Sequence, residues 1–350
     1  DAVWLQGERF GTIGLRIGNL VMEITTHRHE SYLSNSRKPV VTFSQNIEDD
    51  LSRRDFTINS MAVDVITGKF YDPFNGQGDL EKKILRTPLS PEDSFNDDPL
   101  RMLRAARFIA GYDLEPNVKL KETAKYLSKR LGIVSAERIR IELFKLLSLE
   151  NPVIGLEFLN ETGILKQILP SLNLSAHSDL IQTFDRLESD DPLLRLVILL
   201  KGTTMSELES SQKFLKMSRE ETKKLKTLIE IINKISAGPI DSNWSEEDIR
   251  RLIATTGKHY ENVVSLVNSL KIDKTEFLSL FDKLSESGKV TFFEPALTAN
   301  EIMDLLSLEP GPAVGEILDW LYEISLSKGK IEKDAAKSQV VLFWEKKKSS

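Results

Sequence analysis

Three stretches of the chain place chemically able residues at short, regular spacings. The first is Arg53-Arg54-Asp55-Phe56-Thr57-Ile58-Asn59. An arginine there can fork onto phosphate oxygens. An aspartate with an amide four residues later offers an acceptor and a donor for ribose hydroxyls. A surface ion-pair cluster at a helix end is the plainer reading of the same residues. The second stretch runs from Asp97-Asp98-Pro99-Leu100-Arg101 through Arg104 and Arg107 to Phe108. Arginines three apart rotate by about 60° each on a helix, giving a band of about 120° opposite Met102, Ala106 and Ile109. Three like charges at that spacing repel. They call for anions, either carboxylates from elsewhere in the fold or a bound polyphosphate. Asp98 and Arg101 are spaced to stand side by side. A carboxylate that accepts beside a guanidinium that donates imitates the hydrogen-bonding edge of a base; a helix cap with its ion pair is the competing reading. The third stretch, Ser135-Ala136-Glu137-Arg138-Ile139-Arg140-Ile141-Glu142-Leu143, spaces acids and bases for intrahelical pairs and on its own reads as structural.

These side chains need elements to aim them. Residues 1–75 are rich in strand signals. Thr12–Ile17 and Leu20–Thr26 flank Gly18-Asn19 and predict a hairpin. Residues 27–39 are expected to form a mobile loop, and Val40–Phe43 a strand. Ser44 is expected to cap a helix over Ile47–Arg53, whose early acids suit the helix dipole. Asn59–Ile66 reads as a strand that turns at Thr67-Gly68 and returns over Lys69–Tyr71. From about residue 97 the apolar period becomes helical. Pro99 suits a first turn. Ser135 is placed to cap Glu137–Leu147, with Val134 and Ile139 as a hydrophobic staple. Residues 151–350 read as helices with breaks at Asn151-Pro152, Gly163, Pro170, Gly238-Pro239, Gly257, Pro310-Gly311-Pro312 and Gly329. The class is α+β: a mixed β-sheet head followed by an all-helical region.

Composition narrows the function classes. Three hundred and fifty residues suggest two to three domains. Hydrophobic residues make up 40% and charged residues 29%, which excludes a disordered chain. The apolar run Leu193–Leu200 is interrupted by Arg195 and is too short to span a bilayer. With no cysteine there is no disulfide frame, thiolate zinc site or cysteine nucleophile. His27, His29, His177 and His259 lack metal-site spacing. A net charge of −6, from 47 basic and 53 acidic residues, disfavours indiscriminate coating of nucleic acid but leaves room for a local basic groove. Lys213, Lys216, Lys223, Lys224 and Lys226 form a basic cluster that reads chiefly as a solvated helix face.

Arg53–Asn59, Asp98-Pro99-Leu100-Arg101 with its following arginines, and Ser135–Arg138 resemble, in order and spacing, consecutive motifs of the class II tRNA nucleotidyltransferase and bacterial poly(A) polymerase family. Tyr71-Asp72-Pro73-Phe74, the Gly155–Pro170 stretch and Gly311–Gly315 extend the resemblance over nearly the whole chain. It implies a nucleotidyltransferase head at 1–90, a neck with a nucleotide-selecting helix at 91–150, a helical body at 151–240 and an RNA-binding tail at 241–350. It also implies transfer of CMP or AMP from CTP or ATP to the 3′ end of tRNA, with release of pyrophosphate. By motif match, Arg54 contacts phosphate, and Asp55 and Asn59 bind the sugar. Asp98 and Arg101 pair with the base, while Arg104 and Arg107 position the nucleotide. The partners implied are the tRNA 3′ end, CTP and ATP, without a membrane; the lack of cysteine and of a signal segment in the sequence sets the expectation of a cytoplasmic enzyme.

One motif of the family is not found. Its Asp-x-Asp pair, which holds the magnesium ions, does not occur in residues 1–50. The family places that pair upstream of the opening hairpin, so the expectation is a chain that begins partway into the head and is inactive alone. Glu23 resembles a further acid near the metals and is the remaining catalytic expectation. The 26–39 loop resembles that of enzymes adding the whole CCA end. Poly(A) synthesis and A-addition within the family stay open, as does a non-catalytic RNA-binding module.

Overall fold

The computed structural model describes residues 1–5, 8, 11–31, 40–172, 174, 179–187, 189–237, 245–257, 260–272, 279–280, 283–284, 295–329 and 331–348. Its residues divide into two compact units. The first comprises 1–184 and 189–219; the second comprises 185–188 and 220–350.

The first unit opens with a three-stranded antiparallel sheet, ordered β1 (Ala2–Trp4), β2 (Thr12–Ile17), β3 (Leu20–Thr25). The expected hairpin forms, with Ile17 opposite Leu20 and Gly18 at φ 57°, the left-handed value its turn requires. The expected loop after Thr26 is partly strand. β4 (Arg28–Ser31) pairs antiparallel with β5 (Val40–Phe43), and the rest of that expectation falls outside the described residues. α1 (Ile47–Ser52) is capped by Asn46 rather than Ser44. The Asn46 side chain accepts from the Glu48 amide, while the Ser44 hydroxyl donates to Asp49.

The expected Asn59–Ile66 strand shrinks to β6 (Ala62–Val63), paired with β7 (Phe70–Tyr71). Thr57–Asn59 instead makes a 3-10 turn, because local backbone bonds from Asn59 to Phe56 and from Ser60 to Thr57 close it. α2 (Gly76–Glu81) packs on that turn. Asp72 accepts from the Gly76 and Gln77 amides and so serves the start of α2. A Cβ at Gly76 would lie 2.2 Å from the Thr57 carbonyl oxygen, so glycine permits the close approach. The buried Asp79 of α2 accepts from the Thr57 hydroxyl at 2.7 Å and from Arg86 at 2.7 Å. The Tyr71–Phe74 motif and its helix thus brace the segment that carries Asp55 and Asn59.

Next come β8 (Ile84–Leu85), parallel to β9 (Glu115–Pro116), and α3 (Pro91–Asp97), whose N-cap is Ser90. α4 (Arg101–Tyr112) buries Met102, Leu103, Ala105, Ala106, Phe108 and Ile109 and leaves its arginines to the other side. It begins two residues after Pro99, with Leu100 as N-cap. α5 (Val118–Leu127), α6 (Ala136–Leu147) and α7 (Val153–Glu161) follow. α4 packs on both α6 and α7. Gly155 of α7 allows the second contact, since a Cβ there would lie 2.5 Å from the Ala106 carbonyl oxygen. Arg195 is buried in helix Pro192–Leu200 and donates to the carbonyls of Leu147 and Leu149 at the end of α6. The charge that interrupts the apolar run therefore caps the C-terminus of a site helix.

The described elements of the second unit are helices, including Glu246–Thr256, Tyr260–Ser269, Ala299–Leu306, Pro312–Lys328 and Lys333–Lys348. Pro312, at the break Pro310-Gly311-Pro312, starts its helix. Ile302, Val314, Ile317, Leu321 and Val340 form a core. Trp320 and Phe343 stack beside it at 4.4 Å. No described helix is long and apolar enough to cross a membrane.

Candidate nucleotide site

Phe56 is the anchor of the site. It is fully buried and meets Phe108 of α4 at 5.2 Å between ring centroids. That contact brings Asp55, one residue earlier, to Arg104, one helical turn earlier. The Arg104 guanidinium donates to Asp55 Oδ2 from Nε at 2.8 Å and from Nη2 at 2.5 Å. Asp55 Oδ1 accepts from the Asn59 amide at 3.0 Å. The spacing of Asp55 and Asn59 therefore does place them together, already bonded to one another.

The arginine band of α4 finds its anions. Arg107 donates to Glu142 of α6 at 2.9 Å, and Arg104 Nη1 lies 3.6 Å from the same carboxylate. Lys145 adds a bond at 3.3 Å. Burial pushes the Glu142 carboxyl up, but the Arg107 hydrogen bond and the charges of Arg107, Arg104 and Lys145 outweigh it. The group rests below its ordinary value. Arg101 differs from its two companions. It donates to Ser94 Oγ at 2.9 Å and to the Arg53 carbonyl at 2.5 Å, and no carboxylate among the described residues pairs with it. Arg54 and Arg53 both pair with the buried Asp50. Burial raises that carboxyl and the two arginines lower it, with a net shift downward.

Asp98 and Arg101 do not pair with each other. Asp98 is extended, at φ −139° and ψ 98°, and so stands off the face of α4. Its carboxylate accepts from Arg138 of α6, from Nη2 at 2.6 Å and from Nη1 at 3.3 Å, and from the Leu100 amide at 3.2 Å. The side-by-side expectation is corrected to a fork in which α6 supplies the arginine.

An open cavity of about 530 Å³ is lined by Arg54, Asp55, Asn59, Asp98, Arg101 and Arg104, together with Leu100, Arg138, Ile141 and Glu142. Its volume lies within the usual range for small-ligand sites. Six of the seven residues expected to bind nucleotide thus share one cavity. Arg107 is not among its lining residues and turns to Glu142. Glu23 is exposed on β3 opposite Gly14, and it too is not among the lining residues. Arg138, Ile141 and Glu142 join the site from a stretch that read as structural. The signal for them is their spacing of three and four on one helix face, matched to an arginine band short of acids. In the basic cluster Lys216 pairs with Glu137 at 2.9 Å; Lys223, Lys224 and Lys226 lie on helix Arg219–Ala237.

The donor set does not fit a divalent ion. Each cavity carboxylate is engaged by arginine, no described residues form a metal-holding group of three His, Asp or Glu, and the 350 residues contain no Asp-x-Asp. What the arrangement offers is guanidinium donors able to fork onto phosphate and, lining the same cavity, carboxylate acceptors and an amide donor.

Comparison with known proteins agrees. Residues 1–86 match the family model described as Poly A polymerase head domain. Residues 111–175 match "Probable RNA and SrmB-binding site of polymerase A", and residues 186–335 match tRNA nucleotidyltransferase domain 2. Fold and site together define an RNA nucleotidyltransferase class. The CCA-adding enzyme of Ligilactobacillus salivarius is 30% identical over 321 residues, covering 90% of this chain and 76% of that protein. That of Streptococcus gordonii is 31% identical over 341 residues, covering 94% and 80%. The Bacillus stearothermophilus CCA-adding enzyme in complex with CTP superposes with a TM-score of 0.74 at 21% identity, covering 100% of this chain and 85% of that one. The Thermotoga maritima CCA-adding enzyme complexed with tRNA gives 0.65 at 20%, covering 96% and 80%; at these identities the likeness is one of fold. The chain belongs to the CCA-adding enzyme family.

Proposed function

We infer that the protein acts in template-independent addition of CMP and AMP from CTP and ATP to the 3′ end of tRNA, with release of pyrophosphate. The observation that carries this reading is the single cavity that gathers Arg54, Asp55, Asn59, Asp98, Arg101 and Arg104. In it Arg54 and Arg104 meet phosphate, Asp55 and Asn59 meet ribose hydroxyls, and Asp98 with Arg101 reads the base edge. Arg107 acts through Glu142 as a positioning group. A cytoplasmic setting, a catalytic role for Glu23 and the division into head, neck, body and tail belong to the same proposal; the magnesium that family membership implies is not assigned to the carboxylates of this cavity, each of which is engaged by arginine. The order of motifs along the chain supports the division.

The selection of two bases by one site is the discriminating property. Titration of the purified chain with CTP, ATP, GTP and UTP should show binding of the first two above the others. Binding of ATP alone would point to poly(A) or A-addition within the family. Binding of RNA with no nucleotide would favour an RNA-binding module and overturn the enzymatic reading.

A further inference from the structure

α6 turns Arg138, Ile141 and Glu142 into the cavity, at the spacing of one helix face. Arg138 is held by Asp98, and Glu142 is held by Arg107. Ile141, one turn after Arg138 and adjacent to Glu142 in sequence, is 49% exposed. The cavity's other apolar lining residue, Leu100, is 5% exposed and belongs to the core. The remaining lining side chains are carboxylates, guanidinium groups and an amide. Lone exposed aliphatic residues are ordinary on open surfaces. Ile141 is instead the exposed one of the two aliphatic residues that line a charged cavity.

A nucleobase fixed by its edge still has a face to remove from water, and hydrogen-bonding groups around that edge do not shelter it. An isoleucine is stiff at χ1 and presents apolar surface with little further entropy to lose. We propose that Ile141 is the nucleobase-face contact of this site: it covers the plane of the incoming base while Asp98 and Arg101 read its edge. The inference rests on the cavity being the nucleotide site. A contact with the face is blind to the edge, so Ile141 contributes affinity for CTP and ATP alike and no choice among bases.

The test titrates the purified 350-residue chain and its Ile141→Ala, Ile141→Leu and Asp98→Ala variants with CTP, ATP, GTP, UTP and inorganic tripolyphosphate, the last as a base-free probe. Ile141→Ala should weaken CTP and ATP by about fivefold, or about 1 kcal/mol, and leave tripolyphosphate and the base preference unchanged. Ile141→Leu should restore most of the loss. Unchanged CTP and ATP affinity in Ile141→Ala would overturn the proposal, as would an equal loss for tripolyphosphate. If Asp98→Ala loses the base preference while Ile141→Ala binds normally, only the Ile141 assignment falls. If the unaltered chain binds no nucleotide, or Asp98→Ala keeps its preference, the nucleotide-site reading falls and takes the Ile141 assignment with it.

Discussion

Arg138 holds both oxygens of Asp98, reaching from α6 to the residue just ahead of the arginine helix, at 2.6 and 3.3 Å. A carboxylate gripped on one side presents its remaining lone pairs in a fixed direction. That is the condition for reading a base edge. Arg138→Ala should therefore relax discrimination among nucleotides without unfolding the chain. The pair is partly exposed and its stability contribution is at most about 1 kcal/mol. Arg138→Lys should recover charge but not the fork, and so should restore affinity more than selectivity. Affinities for the four nucleotides in each variant check this.

Glu142 is the shared anion of Arg104, Arg107 and Lys145. Removing its charge leaves the partly buried Arg107 without its carboxylate, while Arg104 keeps Asp55. Glu142→Gln should lower stability by about 2 kcal/mol, a figure reduced for the exposure of the arginines. Thermal melting at neutral pH measures it.

The same carboxyl predicts an acid response. Glu142 and Asp50 both rest below their ordinary values of 4.5 and 3.8 once folded. Their stabilisation is complete above those values and is lost as pH falls through the lower, folded values. Melting temperature should hold down to about pH 5 and then decline. In Glu142→Gln the starting point should be lower and the decline shallower. An unchanged slope would remove Glu142 from the acid response.

Gly76 lets α2 touch the Thr57 carbonyl, and Thr57 follows Asp55 by two residues. Gly76→Ala must displace either the helix or the turn. Overpacking of this kind costs about 1–3 kcal/mol. Loss of nucleotide affinity beyond the loss of folded protein is expected, because Asp55 and Asn59 move with the turn. A variant that melts lower yet binds CTP normally would show that the brace serves stability alone.

Six of the residues that line the cavity were legible in the sequence; the share contributed by α6, and the partners, were not. Arginines at 101, 104 and 107 announce one helix face, and Asp55 and Asn59, singled out by their spacing, stand together in the cavity, where the structure adds a bond between them. Spacing failed at Asp98. Two residues three apart meet only if both lie on the helix, and Asp98 sits outside it in extended backbone. It also overran at Asn59–Ile66, where the strand is confined to Ala62–Val63 and local bonds put Asn59 in a 3-10 turn. Partner choice depends on which helices pack, and that is set by distant features such as Gly155 and the Phe56–Phe108 contact.

The central claim is that one cavity selects cytosine and adenine through Asp98. The most direct measurement is the ratio of CTP and ATP affinities to those of UTP and GTP in the purified chain and in Asp98→Ala. A good bidentate base contact is worth about 1–3 kcal/mol of discrimination. The preference should be tenfold or more, by that estimate roughly, and should vanish in Asp98→Ala while tripolyphosphate binding persists. A preference that survives Asp98→Ala would contradict the account.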